Sequence, residues 1–516
     1  MTGARAGLVL AALAILAGGA TAAAPLTEAP RLAVVYDLIL DAAFETAADA
    51  TERACGPAPP VACQLLDVTA LWWQIQLDDQ STALDAEFER RVEAAIAAAD
   101  AWTVNEPERA EAWFYLGAAY GARVQWRVLR EARVAAARDC KRIKEALEQA
   151  IALDPSLHDA RFGIGLYKYY ADVAPAAARF LRFLLLLPGG DRVEGLRDML
   201  FAREHGALLR GEADYQLHWV YLWYEEQPQR GLAMLQGLHA RYPRNPLFQQ
   251  RIAEVELEYF HDRSASLATW QELLAAADTG RVHAAPLAAA RARLGSAERL
   301  DELYETDRAL ELVEAVIREA PAAPYAALAR AHLLQGRFEA RLGRRPQATA
   351  AYRAAIAAAP AHDPAAIADA ARDGLRRSAD AVTGQAYALS LIGWRAYERG
   401  ALDDAERALD RALTLRRGDP VAMFRRALVH RARGEIDRAL PLFGRVIAAR
   451  PVAPPVFLAR AYVERAALFE SSDDRAGAIE SYRNASRVFG ADARTRQLAA
   501  RAVARLQAQL PLRTPR

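Results

Sequence analysis

The sequence predicts an all-α protein in which helix-turn-helix pairs stack into an α-solenoid, wound as a curved right-handed superhelix. At 516 residues the chain exceeds the size at which a single hydrophobic core stops growing, so it forms either several domains or one repeat array. Strand-forming runs of Val, Ile and Thr are scarce, and alanine, leucine, arginine and glutamate dominate. Small residues that recur at a fixed spacing favour the repeat array.

Residues 1–24 have the three-part layout of a secretory signal peptide. Arg5 precedes an apolar run from Leu8 to Ala17, and small residues then lead to Ala22, Ala23 and Ala24. The apolar run is too short to span a bilayer comfortably. We therefore expect cleavage near residue 24 and a mature chain that is periplasmic or secreted.

Cysteine usage agrees with an oxidising compartment. Cys55 and Cys63 bracket the proline-rich stretch "GPAPPVA", a loop that cannot be helical and whose size allows a disulfide to close it. Cys140 is left over, and we interpret it as a small buried side chain. The sequence thus predicts one disulfide and one free thiol.

A helix-turn-helix pattern recurs along the chain. Gly400, Ala405 and Ala412 mark one unit, and the same pattern reappears 34 residues later at Gly434, Ala439 and Val446. This period, with a proline such as Pro451 ending the second helix, resembles the tetratricopeptide repeat family.

Close packing of two helices explains the small residues. Gly393 in the first helix should face Ala405 in the second, so that the pair crosses closely and Leu409 covers the joint. Trp219 occupies a position where the family has glycine or alanine, so the crossing of that pair should depart from the pattern.

The regularity of the repeats divides the chain into segments. After the signal we expect a degenerate solenoid over residues 30–280, with an insertion of about four helical turns after the first helix "AEAWFYLGAAY". Residues 281–490 form the regular repeats, and residues 491–516 form a capping helix and tail.

The central stretch "ARFGIGLYKYYADVAPAAARFLRFLLLLPGGDRVEGLRDML" combines a first helix with Ile164 and Gly165, a proline break, an apolar helix and a "PGGDR" turn. It resembles the central region of eukaryotic tetratricopeptide proteins of the inclusion-body-clearance type. The resemblance implies a repeat subtype and no activity.

The sequence contains no recognisable catalytic, metal or cofactor motif. The formal charge is +1 with acidic and basic residues interleaved, which argues against a nucleic-acid partner. The nine histidines are dispersed. Three of them precede Asp159, Asp262 and Asp363, which we interpret as helix-capping residues. We expect no enzyme activity and no cofactor; a hydrolase would need paired carboxylates across a cleft, and no pair is singled out.

The primary hypothesis is an exported scaffold that binds a peptide or protein on its concave face. In the family that this chain resembles, the first helix of each unit lines that groove, and its aromatic and arginine side chains contact the partner. The corresponding positions here are Phe162, Tyr169, Tyr170, Trp223, Tyr224, Trp394, Tyr397, Phe424 and Arg431. Ordinary packing between repeats is the alternative interpretation of these aromatic residues.

The alternative hypothesis is peripheral association with a membrane or the envelope. Residues 173–188 are apolar and could contact lipid, although a buried solenoid helix explains them equally simply. The C-terminal helix, residues 493–510, carries an apolar stripe at Leu498, Ala502, Leu506 and Leu510. Such a helix closes the open end of a solenoid. Because seven arginines face one acidic residue from Ser486 onward, docking on anionic lipid or an acidic partner is the competing interpretation.

Overall fold

The computed structural model describes residues 26–173, 189–377 and 380–508. The chain forms two compact units. Unit 1 contains the described parts of Met1–Val34, Ala50–Leu66 and Arg91–Arg210, and unit 2 contains those of Val35–Asp49, Asp67–Arg90 and Gly211–Arg516. The division of the sequence at residue 280, which concerns the regularity of the repeats, stays a prediction.

The described residues form helices joined by short turns, with no strand among them, which confirms the all-α prediction. Those of the described residues up to 205 are α1 Ala29–Leu40, α2 Phe44–Ala54, α3 Pro60–Leu77, α4 Asp85–Asn105, α5 Ala110–Leu129, α6 Arg133–Leu153, α7 His158–Val173 and α8 Arg192–His205. Those of residues 210–376 are α9 Arg210–Trp223, α10 Pro228–Arg241, α11 Pro246–Glu258, α12 Arg263–Asp278, α13 Ala285–Glu302, α14 Thr306–Glu319, α15 Ala327–Arg341, α16 Arg345–Ala358 and α17 Ile367–Arg376. The remaining helices are α18 Ala381–Glu398, α19 Leu402–Leu415, α20 Pro420–Ala432, α21 Ile436–Ala448, α22 Pro455–Ser471, α23 Arg475–Ser486 and α24 Ala493–Ala508.

Many of the described helices pack on the next one in sequence, as α5 does on α6 and α18 does on α19. Many of these pairs are joined by a turn of one shape. Two residues before the second helix, the turn has a residue in the left-handed region, where glycine is favoured because it lacks a Cβ atom. In the regular repeats this residue is Gly400 or Gly434, both with φ +76°. Other pairs place a residue with a side chain at the same point; these are Ala42, Glu131, Glu226, His261, Tyr304 and Asp473.

Small residues meet where the paired helices cross. A Cβ atom added to Gly393 would lie 2.6 Å from Leu409 Cγ and 3.0 Å from the Ala405 carbonyl oxygen, so α18 and α19 approach as the sequence predicts. An added Cβ on Gly336 of α15 would likewise lie 2.5 Å from the Tyr352 ring of α16. The helices cannot approach this closely if either glycine is enlarged.

The pair α9 and α10 accommodates Trp219 by using a different small residue. An added Cβ on Gly231 of α10 would lie 2.8 Å from Leu222 and 3.1 Å from the His218 carbonyl oxygen. Trp219 points instead toward Arg251 of α11, whose guanidinium lies 5.4 Å from the indole ring. The large residue therefore contributes to the contact with the next pair.

The structure accommodates extra residues in two different ways where the sequence departs from the regular repeat spacing. The extra residues after "AEAWFYLGAAY" lengthen α5 and α6, and they form no separate inserted helix. The helix α17, which the repeat pattern does not predict, packs its buried Ile367 and Ala371 against α15 and α16.

The central region pairs α7 with α8 through glycine contacts. An added Cβ on Gly165 would lie 2.7 Å from the Gly195 carbonyl oxygen, and one on Gly195 would lie 2.6 Å from the Gly165 carbonyl oxygen. The predicted apolar helix lies outside the described residues except for Val173. No described helix is both long enough and apolar enough to cross a membrane.

The aspartates that follow histidine bind backbone amides near helix starts, as the capping interpretation requires. Asp262 caps α12 by accepting from Ala265 N–H at 2.9 Å, and Asp363 accepts from Ala368 N–H at 2.9 Å in the first turn of α17. Asp159 differs, because it lies inside α7 and accepts from three successive amides in the turn before α9, those of residues 207–209. Its role is to fix that turn.

Candidate ligand-binding surface

The residues predicted to contact a partner have different environments. Phe162 and Tyr169 in unit 1 and Phe424 in unit 2 are buried, so their rings fill the core and are absent from the exposed surface. This corrects their assignment as groove residues, because a first helix must also pack against its neighbours. Tyr170 is half-buried, and its ring lies 5.8 Å from that of Tyr169.

The predicted residues of α18 and α20 already have partners within the chain. Trp394 donates its indole N–H to Glu305 Oε1 at 2.8 Å and stacks on Tyr397, with ring centroids 5.2 Å apart. Arg431 forms an ion pair with Glu464. These side chains are half-buried, and they stabilise contacts between helices that are distant in sequence.

The turn between α13 and α14 occupies the first-helix face of these later repeats. Tyr304 in this turn has φ +65° at the point where the regular repeats have glycine. Its ring contacts Tyr387 of α18 and Phe457 of α22, at 5.8 Å and 5.5 Å between centroids. Arg341 of α15 covers the other side, 4.3 Å from the Tyr304 centroid.

Charged side chains hold this turn in place. Arg425 of α20 is 1% exposed and donates to the Tyr304 carbonyl oxygen at 2.7 Å and to Ser390 Oγ at 3.0 Å. Burial lowers the pKa of Arg425 from its ordinary value. Arg395 binds both Glu305 and Asp307, the latter at 2.7 Å. The later repeats therefore enclose a segment of their own chain.

A small cavity of about 300 Å³ lies beside this turn. Its walls mix aromatic, proline and charged side chains, including Tyr304, Arg341, Pro455 and Phe457. Arg341 forms an ion pair with Asp301 at 2.8 Å, and Arg263 pairs with Glu302 at 3.1 Å. The guanidinium groups at this cavity thus have carboxylate partners.

The earlier repeats of unit 2 present an exposed aromatic surface. Among the tryptophan and phenylalanine side chains that the structure describes, the exposed ones are Trp223 and Phe489, at 57% and 76%. The Trp223 ring contacts that of Trp219, with centroids 4.2 Å apart and planes tilted by 34°, and Trp219 contacts His218 at 4.3 Å with a tilt of 41°. We call Trp219 and Trp223 the aromatic platform. The predicted residue Tyr224 lies beside it and is half-buried.

The base of the platform is a buried histidine. His218 is fully buried, its Nδ1 lies at hydrogen-bond distance from the Tyr215 carbonyl oxygen, and its Nε2 has no partner among the described residues. Burial lowers the pKa of His218 to about 3, so the ring is neutral at physiological pH. A neutral imidazole therefore lies against the Trp219 ring.

The rim of the platform is formed by charged residues of α11. Arg251, Glu254 and Glu258 are spaced three and four residues apart, so they share the helix face that meets α9. Burial would lower the pKa of Arg251, but the carboxylate of Glu254, 2.7 Å away, raises it above its ordinary value. Burial and the neighbouring Glu254 raise the pKa of Glu258. The rim therefore carries two carboxylates on the same helix as Arg251, whose guanidinium lies over the Trp219 ring.

The cysteines belong to unit 1. Cys55 and Cys63 form a disulfide, with Cα atoms 5.9 Å apart, and Cys140 is free. Burial raises the pKa of the Cys140 thiol to about 11, so it is protonated and unreactive at neutral pH. Within the described part of the chain, no group of three or more His, Cys, Asp or Glu side chains is placed to hold a metal ion.

The aromatic platform and the turn around Tyr304, which we call the enclosed turn, belong to helix pairs of similar geometry. In both regions the turn has a left-handed residue, Glu226 or Tyr304, two positions before the second helix. Successive pairs stack in sequence order, as in the tetratricopeptide repeats that the 34-residue period resembles. The described fold is a stack of paired helices, as the sequence predicts.

Comparison with known proteins returns only distant structural similarities. No family model and no curated protein matches the sequence. A tetratricopeptide repeat protein from Parabacteroides merdae is 15% identical with a TM-score of 0.25, over 58% of this chain and 98% of that one. The human IFIT1 dimer with m7Gppp-AAAA is 11% identical with a TM-score of 0.33, over 82% and 94% of the two chains. The APC/C hetero-tetramer Cut9-Hcn1 is 12% identical with a TM-score of 0.25, over 93% and 91%.

The repeat pattern of the sequence does not predict two features of the surface. Phe489 lies in the loop before α24, where its exposed ring contacts His261 at 4.9 Å, and no repeat position marks it. The enclosed turn at Tyr304 depends on contacts with residues more than 80 positions away, such as the bond between Thr306 and Tyr387. The one signal for it is a tyrosine where the regular repeats have a turn glycine.

Proposed function

We propose that this protein is an exported, non-catalytic scaffold that binds a peptide segment of a partner protein on the concave face formed by the first helices of its repeats. The observation that carries the proposal is the exposure of Trp223, whose ring packs against Trp219 and, through it, against the buried His218. Large aromatic side chains that are held rigid and left exposed are the usual anchors of protein interfaces.

The chemistry around Trp223 favours a partner with a cationic side chain. The indole face is electron-rich and attracts a guanidinium or ammonium group, and Arg251 already uses the neighbouring Trp219 in this way. The carboxylates of Glu254 and Glu258 lie on the adjacent helix face. An arginine or lysine of the partner would therefore stack on Trp223 and approach these carboxylates, a contact worth about 0.5–2 kcal/mol.

The enclosed turn favours the earlier repeats as the binding site. Trp394 and Arg395 are committed to Glu305 and Asp307 of the same chain. Displacing that turn would disrupt the α13–α14 pair and leave Arg425 buried without its carbonyl partner. The platform needs no such rearrangement before it binds.

Site-specific crosslinking tests the binding site. A photoreactive phenylalanine derivative replaces Trp223, and a matched control carries it at Val104, which is 73% exposed in unit 1. Irradiation in an envelope extract should yield a discrete crosslinked protein from position 223 alone. The Glu258→Gln variant should then weaken binding of that protein, and a partner crosslinked equally well from position 104 would contradict the proposal.

Export has a separate test. Mass spectrometry of the protein purified from its native cells should find a mature N-terminus near residue 24 and Cys55 joined to Cys63. Thiol labelling of the denatured, unreduced protein should count one free thiol, that of Cys140. A cytoplasmic protein that retains Met1 would remove the argument for export and leave the binding test unaffected.

A further inference from the structure

The outer face of α24 carries a row of exposed side chains that the proposed function does not use. Arg494, Leu498, Arg501 and Arg505 are spaced four, three and four residues apart and therefore form one stripe along the helix. All four are exposed, with Leu498 at 50%. We call these four residues the arginine stripe. Its exposure corrects the prediction that Leu498 belongs to the buried side of the C-terminal helix.

The buried side of α24 uses other residues. Ala499, Ala502 and Leu506 pack in a core cluster with Tyr462 and Tyr482 of α22 and α23. Leu510 of the predicted stripe lies outside the described residues. Because its apolar side chains are already buried within the protein, α24 has little apolar surface left to insert into a lipid bilayer.

The helix is anchored firmly at its N-terminus. Asp492 caps it by accepting from Thr495 N–H at 2.7 Å, and Asp262, which caps α12 with its other oxygen, accepts from Ala493 N–H at 2.6 Å. Both carboxylates bind amides of the first helical turn, where negative charge is stabilising. The stripe is therefore presented on a fixed helix.

A groove of about 550 Å³ runs along the stripe. Its lining contains the stripe residues together with Gln497, Ala502 and Tyr482, and no carboxylate is among them. Arg505 forms an ion pair with Glu470 at 2.7 Å. Within the described residues, Arg494 and Arg501 have no hydrogen-bond or ion-pair partner. The groove thus combines unneutralised positive charge with one exposed leucine.

We propose that the arginine stripe binds an acidic amphipathic helix of a partner protein, which continues the stack of helices by one. Side chains spaced four and three residues apart are those that one helix presents to another. A glutamate or aspartate of the partner pairs with Arg494 and Arg501, and an apolar residue between them covers Leu498. The chain's own remaining residues, 509–516, contain two arginines and no acidic residue, so their charge is wrong for this groove.

Fluorescence anisotropy with designed peptides tests the proposal. The probe is a labelled helical peptide with glutamates spaced to meet Arg494 and Arg501 and a leucine to meet Leu498, and its counterpart replaces each glutamate by lysine. The full-length protein should bind the acidic peptide, more weakly as salt rises, and should bind the lysine peptide at least tenfold more weakly. Equal binding of both peptides would overturn the proposal.

Charge-reversal variants locate the site. The double variant Arg494→Glu, Arg501→Glu should lose at least tenfold in affinity for the acidic peptide. The control Arg353→Glu, Arg483→Glu makes the same charge change at exposed positions of α16 and α23 and should retain most of the affinity. Among the described residues none of these four arginines forms an ion pair, so the melting temperatures of both double variants should be unchanged. Equal affinity of the two double variants for the acidic peptide would contradict the proposal.

Two further measurements distinguish the arginine stripe from a lipid-binding surface and from the aromatic platform. Vesicles of phosphatidylglycerol should fail to compete with the acidic peptide, and vesicles that displace it and sediment the protein would assign the stripe to lipid instead. Trp223→Ala should leave acidic peptide binding intact, because the aromatic platform lies on a different helix. A negative result for peptide binding at the arginine stripe would therefore be distinguishable from a negative result for partner binding at the aromatic platform.

Discussion

Two tryptophan-bearing first helices of unit 2 differ in what covers them. On α9, Trp223 is more than half exposed, and its neighbours are the rings and charges of the adjacent helix. On α18, Trp394 is half-buried and hydrogen-bonded to Glu305 in a turn about 90 residues away along the chain. Both residues lie in the second half of the first helix of a pair. The difference teaches that a repeat position identifies a surface, whereas contacts from distant repeats decide whether that surface is available.

The supports of the two surfaces differ in kind. The platform lies on a neutral, buried His218, whereas the surface around Trp394 is held by the buried cation Arg425 and by Arg395. Protonation of His218 and removal of the Arg425 side chain should therefore affect different parts of unit 2. Each support can be removed without touching the other.

Acid should weaken the platform most strongly. The folded pKa of His218 is about 3 and the unfolded value is about 6.5, so the unfolded state binds the proton first. The stability from a neutral His218 is complete above pH 6.5 and falls by about 1.4 kcal/mol per pH unit below it. The His218→Phe variant, which keeps a ring at this site, should show a correspondingly shallower pH dependence of the free energy of unfolding. Parallel curves for variant and wild type in urea titrations between pH 7.5 and 4.5 would show that His218 is protonated without cost.

Removing Arg425 should cost about 2–4 kcal/mol of stability, because the Tyr304 carbonyl loses its charged donor and the buried side chain leaves a cavity. Arg426→Ala is the matched control on the same helix, since it loses partly exposed ion pairs with Asp410 and Glu406 and should cost less than about 1 kcal/mol. Hydrogen exchange should become faster in the turn at residues 303–307 in the Arg425→Ala variant. Equal denaturation midpoints for the two variants would mean that Arg425 does not hold the turn.

Enlarging Gly393 tests the packing that both surfaces share. The variant Gly393→Leu should cost about 1–3 kcal/mol, because the ideal Cβ already lies 2.6 Å from Leu409 and the Ala405 backbone cannot retreat. Gly418→Leu is the control, since an added Cβ there meets nothing within 4 Å. Thermal melting of both variants checks the expectation, and an unchanged melting temperature for Gly393→Leu would show that the helix crossing is misassigned.

The two tryptophans should respond differently to truncation, with the smallest effect at the exposed one. Trp394→Ala should cost about 1–2 kcal/mol, because the variant loses the bond to Glu305 and the stacking on Tyr397. Trp223→Ala should cost less than about 1 kcal/mol, since its outer face contacts solvent. Urea denaturation measures both values, and the comparison would fail if Trp223→Ala proved the more destabilising of the two.

The sequence by itself determined the local design of this protein. Small residues at Gly393 and Ala405, turn glycines at Gly400 and Gly434, and capping aspartates such as Asp262 act within one helix pair or at one helix start. Such features have a short period and a direct steric or hydrogen-bonding reason, so the pattern of residues reveals them. The helical content and the pairing of the helices were therefore predictable.

Only the tertiary structure decided which first-helix residues are available to a partner. Phe424 and Trp394 occupy groove positions in the repeat pattern, yet one is buried and the other is bonded to Glu305. The stripe on α24 includes Leu498, which the helical pattern placed on the buried side. Solvent exposure depends on contacts between repeats that are distant in sequence, and a pattern that repeats every 34 residues contains no information about which repeats meet.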